Sequence, residues 1–305
     1  MLAIFLKTLP FFALIGLGWF AGKTRFFTAE ATAWLTKFVF YFALSAMLFR
    51  FSANLKLAEL YDPNFVLAYL SGSFAVWLIS FGVAKARGLP TSLAAMESHT
   101  SMTGNTGFLG VPMLVVLLGP AAVGPVLMVL ACDLIVFSSL ITIIITAARH
   151  GKVSLGSIAL GLVKNPMIVS MGAGLIWAGL KLPMPAPLED FMSILGAAAT
   201  PGALFAIGAS LATKSAERPA PAVWLSFGKL FLHPGAIAIT ALMIFHVEPF
   251  AAGVMIAAAS LPVAGNVYIL AQHYGVAPQR VSAAILVSTA VSILTVPAVI
   301  HWVNG

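Results

Sequence analysis

The chain has 305 residues, 61% of them hydrophobic and 8% charged, with a mean hydropathy of +1.04. That composition excludes a soluble globular protein and indicates a polytopic membrane protein. The net charge of +7 comes without a basic cluster interleaved with aromatics, which excludes nucleic acid as a partner, and the single cysteine, Cys132, excludes an intrachain disulfide and any cysteine-based metal cluster.

Ten apolar segments follow in order, at about 2–21, 33–51, 63–84, 93–118, 121–147, 161–180, 191–212, 223–246, 250–273 and 279–301. Their apolar runs are continuous over about 20 residues rather than alternating over about ten, so they read as membrane-spanning helices and not as barrel strands. The first opens on MLAIFLK, which is apolar instead of basic, and therefore reads as a span rather than a cleaved signal peptide. Gly18 and Gly22 within it form a GxxxG pattern suited to helix packing. Trp19, Trp34, Trp77, Trp177, Trp224 and Trp302 lie mostly near segment ends and read as interface anchors, with Lys37 and Arg50 flanking the second segment.

The fourth segment contains TGNTGFLGVPM, from Thr103 to Met113. Gly104, Gly107, Gly110 and Pro112 weaken the helix and remove a backbone donor, so this segment breaks. The ninth breaks at Leu261-Pro262-Val263-Ala264-Gly265-Asn266, and both breaks carry the dipeptide Gly-Asn, Gly104-Asn105 and Gly265-Asn266. An offset of 161 residues superposes the two dipeptides and carries the starts of segments 1–5 to within about four residues of segments 6–10. The expected fold is all-α, ten transmembrane helices in two five-helix repeats, residues 1–150 and 151–305. An odd number of spans per repeat inverts the second relative to the first.

Orientation follows from the basic residues. Lys23, Arg25, Lys85, Arg87, Arg149, Lys152, Lys214, Arg218 and Arg280 fall in the loops after odd-numbered segments, whereas Arg50, Lys56 and Lys181 fall in the others. The positive-inside rule places both termini outside the cytoplasm.

Asn105 and Asn266 lead the candidate residues. An amide offers two donors and two acceptor lone pairs, and a half-helix N-terminus adds free N–H groups with partial positive charge, a set that suits a carboxylate. Each Asn could instead satisfy carbonyls freed by its own break, but recurrence at repeat-related positions favours binding, with Gly104, Thr106, Pro112, Pro262 and Gly265 shaping the site. Asp133 lies near the membrane midplane, where an acid is costly and reads as a proton carrier or cation ligand, against a structural hydrogen-bonded carboxyl. Lys229 either snorkels to the surface or pairs with a carboxylate inside the bundle, and His233, ahead of Pro234, bonds a carbonyl released by the kink. Glu97, Ser98 and His99 open the fourth segment and read either as an access vestibule or as ordinary capping; Glu97 joins Asp133 and Lys229 as an ion-coupling candidate.

With these residues the chain resembles the auxin efflux carrier family, in the bacterial branch that includes malonate and other dicarboxylate permeases. The resemblance rests on Gly104-Asn105-Thr106-Gly107-Phe108 running into Gly110-Val111-Pro112, and on Leu261-Pro262 with Asn266, Ala271 and Tyr274-Gly275. It extends to Asn165-Pro166 opening segment 6, Leu195-Gly196 with Pro201 and Gly208, Lys229-Leu230 with Pro234, and Ser288-Thr289 with Pro297. The resemblance implies a fold similar to bile-acid sodium symporters and sodium/proton antiporters. Segments 1, 2, 6 and 7 would form a scaffold, often dimeric, and segments 3–5 and 8–10 a transport domain in which segments 4 and 9 cross at their breaks. It also implies carboxylate binding by Asn105 and Asn266. The chain lacks the long central loop of plant members and has Gly104 where they place a proline, so their auxin pocket is not carried over.

The expected function is secondary transport of small carboxylates such as malonate or malate in a bacterial inner membrane. It would use no resident cofactor or metal, couple to H+ or Na+, and work as a homodimer in lipid. Alternatives are efflux of an auxin-like aromatic acid, a channel or sensor, and an intramembrane enzyme. The chain contains no P-loop, HExxH or GxSxG, which counts against ATP coupling and against the enzyme.

Overall fold

The structure, a computed structural model, describes residues 2–55, 62–150, 155–212 and 219–304. Lys56, Lys152, Lys214 and Arg218, used above for orientation, lie outside the described residues. The elements are helices: α1 (Leu2–Lys23), α2 (Ala29–Ala53), α3 (Pro63–Ala86), α4 (Thr91–Met102), α5 (Thr106–Leu118), α6 (Pro120–Ala148), α7 (Leu155–Lys164), α8 (Pro166–Gly179), α9 (Ala186–Leu211), α10 (Ala220–Ile244), α11 (Pro249–Ala259), α12 (Gly265–His273) and α13 (Pro278–Asn304). Seven of them, α1, α2, α3, α6, α9, α10 and α13, are long and apolar enough to cross a membrane, while α5, α8 and α11 are shorter apolar helices. The chain is thus an all-α, polytopic membrane protein.

Helix starts are written in the sequence. Thr28 Oγ1 accepts the Ala31 N–H at 3.1 Å to cap α2, Asp62 Oδ1 accepts the Asn64 N–H at 2.9 Å to cap α3, and Glu248 accepts from Phe250 and Ala251 at 3.0 and 2.8 Å to cap α11. In α3 and α11 a proline follows the cap, where no intrahelical donor is needed. The sixth segment differs from expectation. Asn165-Pro166 opens α8, with Asn165 Oδ1 capping it at the Met167 N–H, 3.0 Å away, but a separate helix, α7, precedes it and holds the first residues of the segment. A hydropathy run does not register a break whose flanks are both apolar.

Two sets of helices are distinguished by packing. Helices α1 and α9 lie in close contact, and α2 packs on α8 and α9. A side chain at Gly18 or Gly208 would strike the facing backbone, at Phe205 and Ile15, so the glycines set the α1–α9 separation. Elsewhere α3 packs on α4 and α10, and α13 packs on α10, α11 and α12. Trp77 departs from the anchor reading: it is buried and stacked between Phe74 and Phe81. Several helices widen into π-type turns, including Thr106–Gly110, Cys132–Phe137 and Gly228–Leu232. Such turns recur at functional positions, and these three carry Thr106, Asp133 and Lys229.

Candidate functional site

The two Gly-Asn breaks meet. Between α4 and α5 the chain runs through Thr103–Asn105, between α11 and α12 it runs through Ser260–Ala264, and the two stretches pair antiparallel at Gly104 and Val263. The Asn105 N–H donates to the Pro262 carbonyl at 2.9 Å, and the Ala264 N–H donates to the Thr103 carbonyl at 3.1 Å. Backbone groups that the breaks strand in an apolar interior thereby satisfy one another. Ser288 of α13 completes the arrangement, its Oγ accepting the Val263 N–H at 3.1 Å. Pro112 sits in the first turn after the wide turn of α5, where a missing donor costs least.

Asn105, Gly265 and Asn266 line one cavity of about 340 Å³, a volume suited to a small metabolite. The helices α5 and α12 both begin at this point, so their N-terminal N–H groups and the positive ends of their dipoles lie beside it. Oδ1 of Asn266 is buried with no hydrogen-bond partner in the protein. An amide left with unused bonding capacity in a cavity is poised for a ligand. Gly104, Thr106, Pro112 and Pro262 do not line the cavity; they form the breaks behind it.

The opposite wall comes from α2 and α9 and was not foreseen. Thr32, Thr36, Ala203 and Ala206 face the cavity there. The threonine hydroxyls donate to carbonyls one turn back, Thr28 at 2.9 Å and Thr32 at 2.7 Å. One wall therefore offers amides and helix N-termini, the other threonines and Ser210 among apolar side chains such as Ala203, Ala206 and Ile207. Phe108, Gln272 and Thr289 also line it. Gln272, an amide in an apolar run, was the available signal for this part of the lining.

Asp133 and Lys229 lie behind the breaks, not on the cavity. Asp133 is buried and accepts the Tyr69 hydroxyl through Oδ1 at 2.7 Å, next to Thr106 and within electrostatic reach of Lys229. No ion pair joins the two among the described residues. Lys229 is fully buried, which removes the snorkelling alternative. Its Nζ donates to the Ala259 carbonyl and to Nδ1 of His233, the latter at 3.1 Å. Nε2 of His233 lies 2.9 Å from Ser73 Oγ, so the ring is held between Lys229 and Ser73.

Glu97 stands apart from both groups. It is buried, and its two carboxylate oxygens are held by Arg87 at 3.0 Å and Arg280 at 2.6 Å, clamping α4 between the end of α3 and the start of α13. Both of its oxygens are engaged in ion pairs that tie α4 to α3 and α13. His99 is buried as well, 3.3 Å from the Thr103 hydroxyl.

A many-helix membrane protein with paired helix breaks around a small-molecule cavity is a transporter by class. The membrane transport protein family matches residues 3–300, and the chain belongs to it, the auxin efflux carrier family whose motifs the sequence carries. The chain is 31% identical to the "Putative malonate transporter" of Rhizobium meliloti (strain 1021), over 97% of this chain and 95% of that protein. It is 26% identical to the "Uncharacterized transporter YfdV" of Escherichia coli (strain K12), over 96% of this chain and 95% of that protein. The protein is accordingly a multi-pass bacterial membrane protein and, by its family, a secondary transporter rather than an enzyme.

Proposed function

We propose that the protein moves small carboxylates across the bacterial inner membrane by alternating access, with the substrate bound at the crossing of the α4/α5 and α11/α12 breaks. The observation that carries this reading is the convergence of Asn105 and Asn266, 161 positions apart in the chain, on one cavity beside two helix N-termini. Two partly buried helix dipoles favour an anion by up to about 2 kcal/mol each. The 161-residue offset supports ten spans arranged as two inverted five-helix repeats, 1–150 and 151–305, with each broken pair forming one span. The packing of α1, α2, α8 and α9 on one another supports a scaffold, with α3–α6 and α10–α13 as the transport domain. In this reading the scaffold carries the homodimer contact, both termini lie outside the cytoplasm, and Asp133 with Lys229 couples transport to H+ or Na+.

Malonate or malate is the substrate of choice, ahead of a bulky aromatic acid, on the name of the Rhizobium relative. A thermal-shift series on the purified protein tests the assignment. Malonate should stabilise it by ligand linkage, and malonamide or the dimethyl ester should not. Equal stabilisation by acid and neutral amide would remove the electrostatic basis of the reading.

A further inference from the structure

The cavity has a second end, away from the crossing. Asn105, Asn266 and Thr289, the last beside the Ser288 that holds Val263, gather where the breaks meet. From there the cavity runs along α12, whose Gly265, Tyr268, Ile269 and Gln272 line it at the i, i+3, i+4 and i+7 spacing of one helix face. It reaches the last turn of α12, opposite Ala29 and Thr32 at the start of α2 and Ser210 at the end of α9. Gln272 lies in that turn, about 9 Å along the helix axis from Asn266. Side chains on a helix lean back toward its N-terminus, which aims this one toward the crossing. Its Nε2 donates to the Tyr268 hydroxyl, one turn earlier, at 3.0 Å.

A dicarboxylate brings two anionic ends. The N-termini of α5 and α12 stabilise only the one at the crossing, because the effect of a helix dipole falls off within the first turn. The other end needs donors of its own. On the facing wall the hydroxyl protons of Thr32 and Thr36 are already spent on the carbonyls of Thr28 and Thr32. Nε2 of Gln272 carries two hydrogens, and the bond to Tyr268 uses one of them. That bond also holds the amide in place before a ligand arrives, which lowers the entropy cost of binding. We propose that Gln272, oriented by Tyr268, recognises the second carboxylate of the substrate and so sets the preference for a dicarboxylate over a monocarboxylate. The substrate then lies along α12, one end at the crossing and the other at Gln272. The proposal rests on the carboxylate reading of the cavity and adds the residue that counts the charges.

Titration calorimetry with malonate and with monomethyl malonate, which keeps one carboxylate and neutralises the other, tests it. Wild type should bind malonate at least about tenfold more tightly than the ester, the low end for a hydrogen bond to a charged group because Gln272 is exposed. Gln272→Leu keeps an apolar stem of similar length without the donor. It should lower that ratio by at least about threefold, chiefly by weakening malonate. A smaller change, or a wild type that does not distinguish acid from ester, overturns the proposal. Gln272→Glu sets a negative charge against the second carboxylate and decides the matter should the Leu variant not be recovered folded. It should cost malonate more affinity than the ester, and equal losses for the two overturn the proposal. Failure of the carboxylate reading is recognised separately, as a wild-type protein that binds neither ligand.

Discussion

Asn266→Ala separates a binding amide from a structural one. In the empty protein Oδ1 of Asn266 has no partner, so truncation takes no intramolecular bond from that atom, and the break is held by Pro262, Gly265 and the Gly104–Val263 pairing. Stability should therefore not fall, and loss of a buried, unsatisfied acceptor should raise it, by up to about 1–3 kcal/mol. Binding should weaken. A hydrogen bond to a charged group contributes about 1.5–3 kcal/mol, which corresponds to roughly a 10- to 150-fold rise in Kd. Residual affinity should persist, because the N-termini of α5 and α12 and Asn105 remain. Asn266→Asp keeps the shape but sets a negative charge against the substrate, and should abolish binding altogether. Titration calorimetry with malonate on detergent-purified wild type and both variants measures this, with unfolding curves run in parallel. If Asn266→Ala binds malonate within twofold of wild type, the amide does not contact substrate and the cavity assignment fails.

Glu97→Gln should cost about 2–3 kcal/mol in unfolding experiments, at the low end for a buried pair because Arg87 is 38% exposed and screened, while malonate affinity stays unchanged. A large loss of affinity at unchanged stability would return Glu97 to the transport pathway. Asp133→Asn keeps an acceptor for the Tyr69 hydroxyl and should fold, yet in proteoliposomes it should lose gradient-driven accumulation while retaining substrate counterflow. Full pH- or sodium-driven uptake would make Asp133 structural. In bacteria a C-terminal alkaline phosphatase fusion should be active and a fluorescent-protein fusion dark, and the reverse pattern would invert the proposed orientation.

The breaks were legible because glycine and proline act locally: wherever the chain folds, Gly104, Gly107, Gly110, Pro112 and Pro262 weaken a helix at the same positions. Their meeting was implied by the family resemblance, while the repeat placed Asn105 and Asn266 at equivalent positions. The rest of the site left weaker traces. Alanines facing the cavity from α9, such as Ala203 and Ala206, look like any small residues in an apolar helix. The Glu97–Arg280 pair joins residues 183 positions apart, and no local pattern announces it. Trp77 shows the same limit from another side. Hydropathy treats lipid and protein interior as one apolar solvent, so it does not separate a ring stacked between Phe74 and Phe81 from one at the membrane interface.

The sequence ranked polar residues by what it costs to place them in a membrane, and by that measure Asp133, Lys229 and Glu97 stood beside the asparagines. The structure separates them by two other measures, how far each group's bonding capacity is already used and whether it faces the cavity. Glu97 has both oxygens in ion pairs and Lys229 is bonded to Ala259 and His233, while Asp133 holds Tyr69 through Oδ1 and leaves Oδ2 without a partner, away from the cavity. Asn266 has a buried amide oxygen with nothing to bond, and it lines the cavity. Leaving such a group unsatisfied costs about 1–3 kcal/mol, so an empty carrier that tolerates it is less stable than it need be. A ligand that completes the bond recovers that energy as affinity. This is why a neutral amide, cheaper to bury than any of the three charges, is the residue best placed to report whether the cavity is filled.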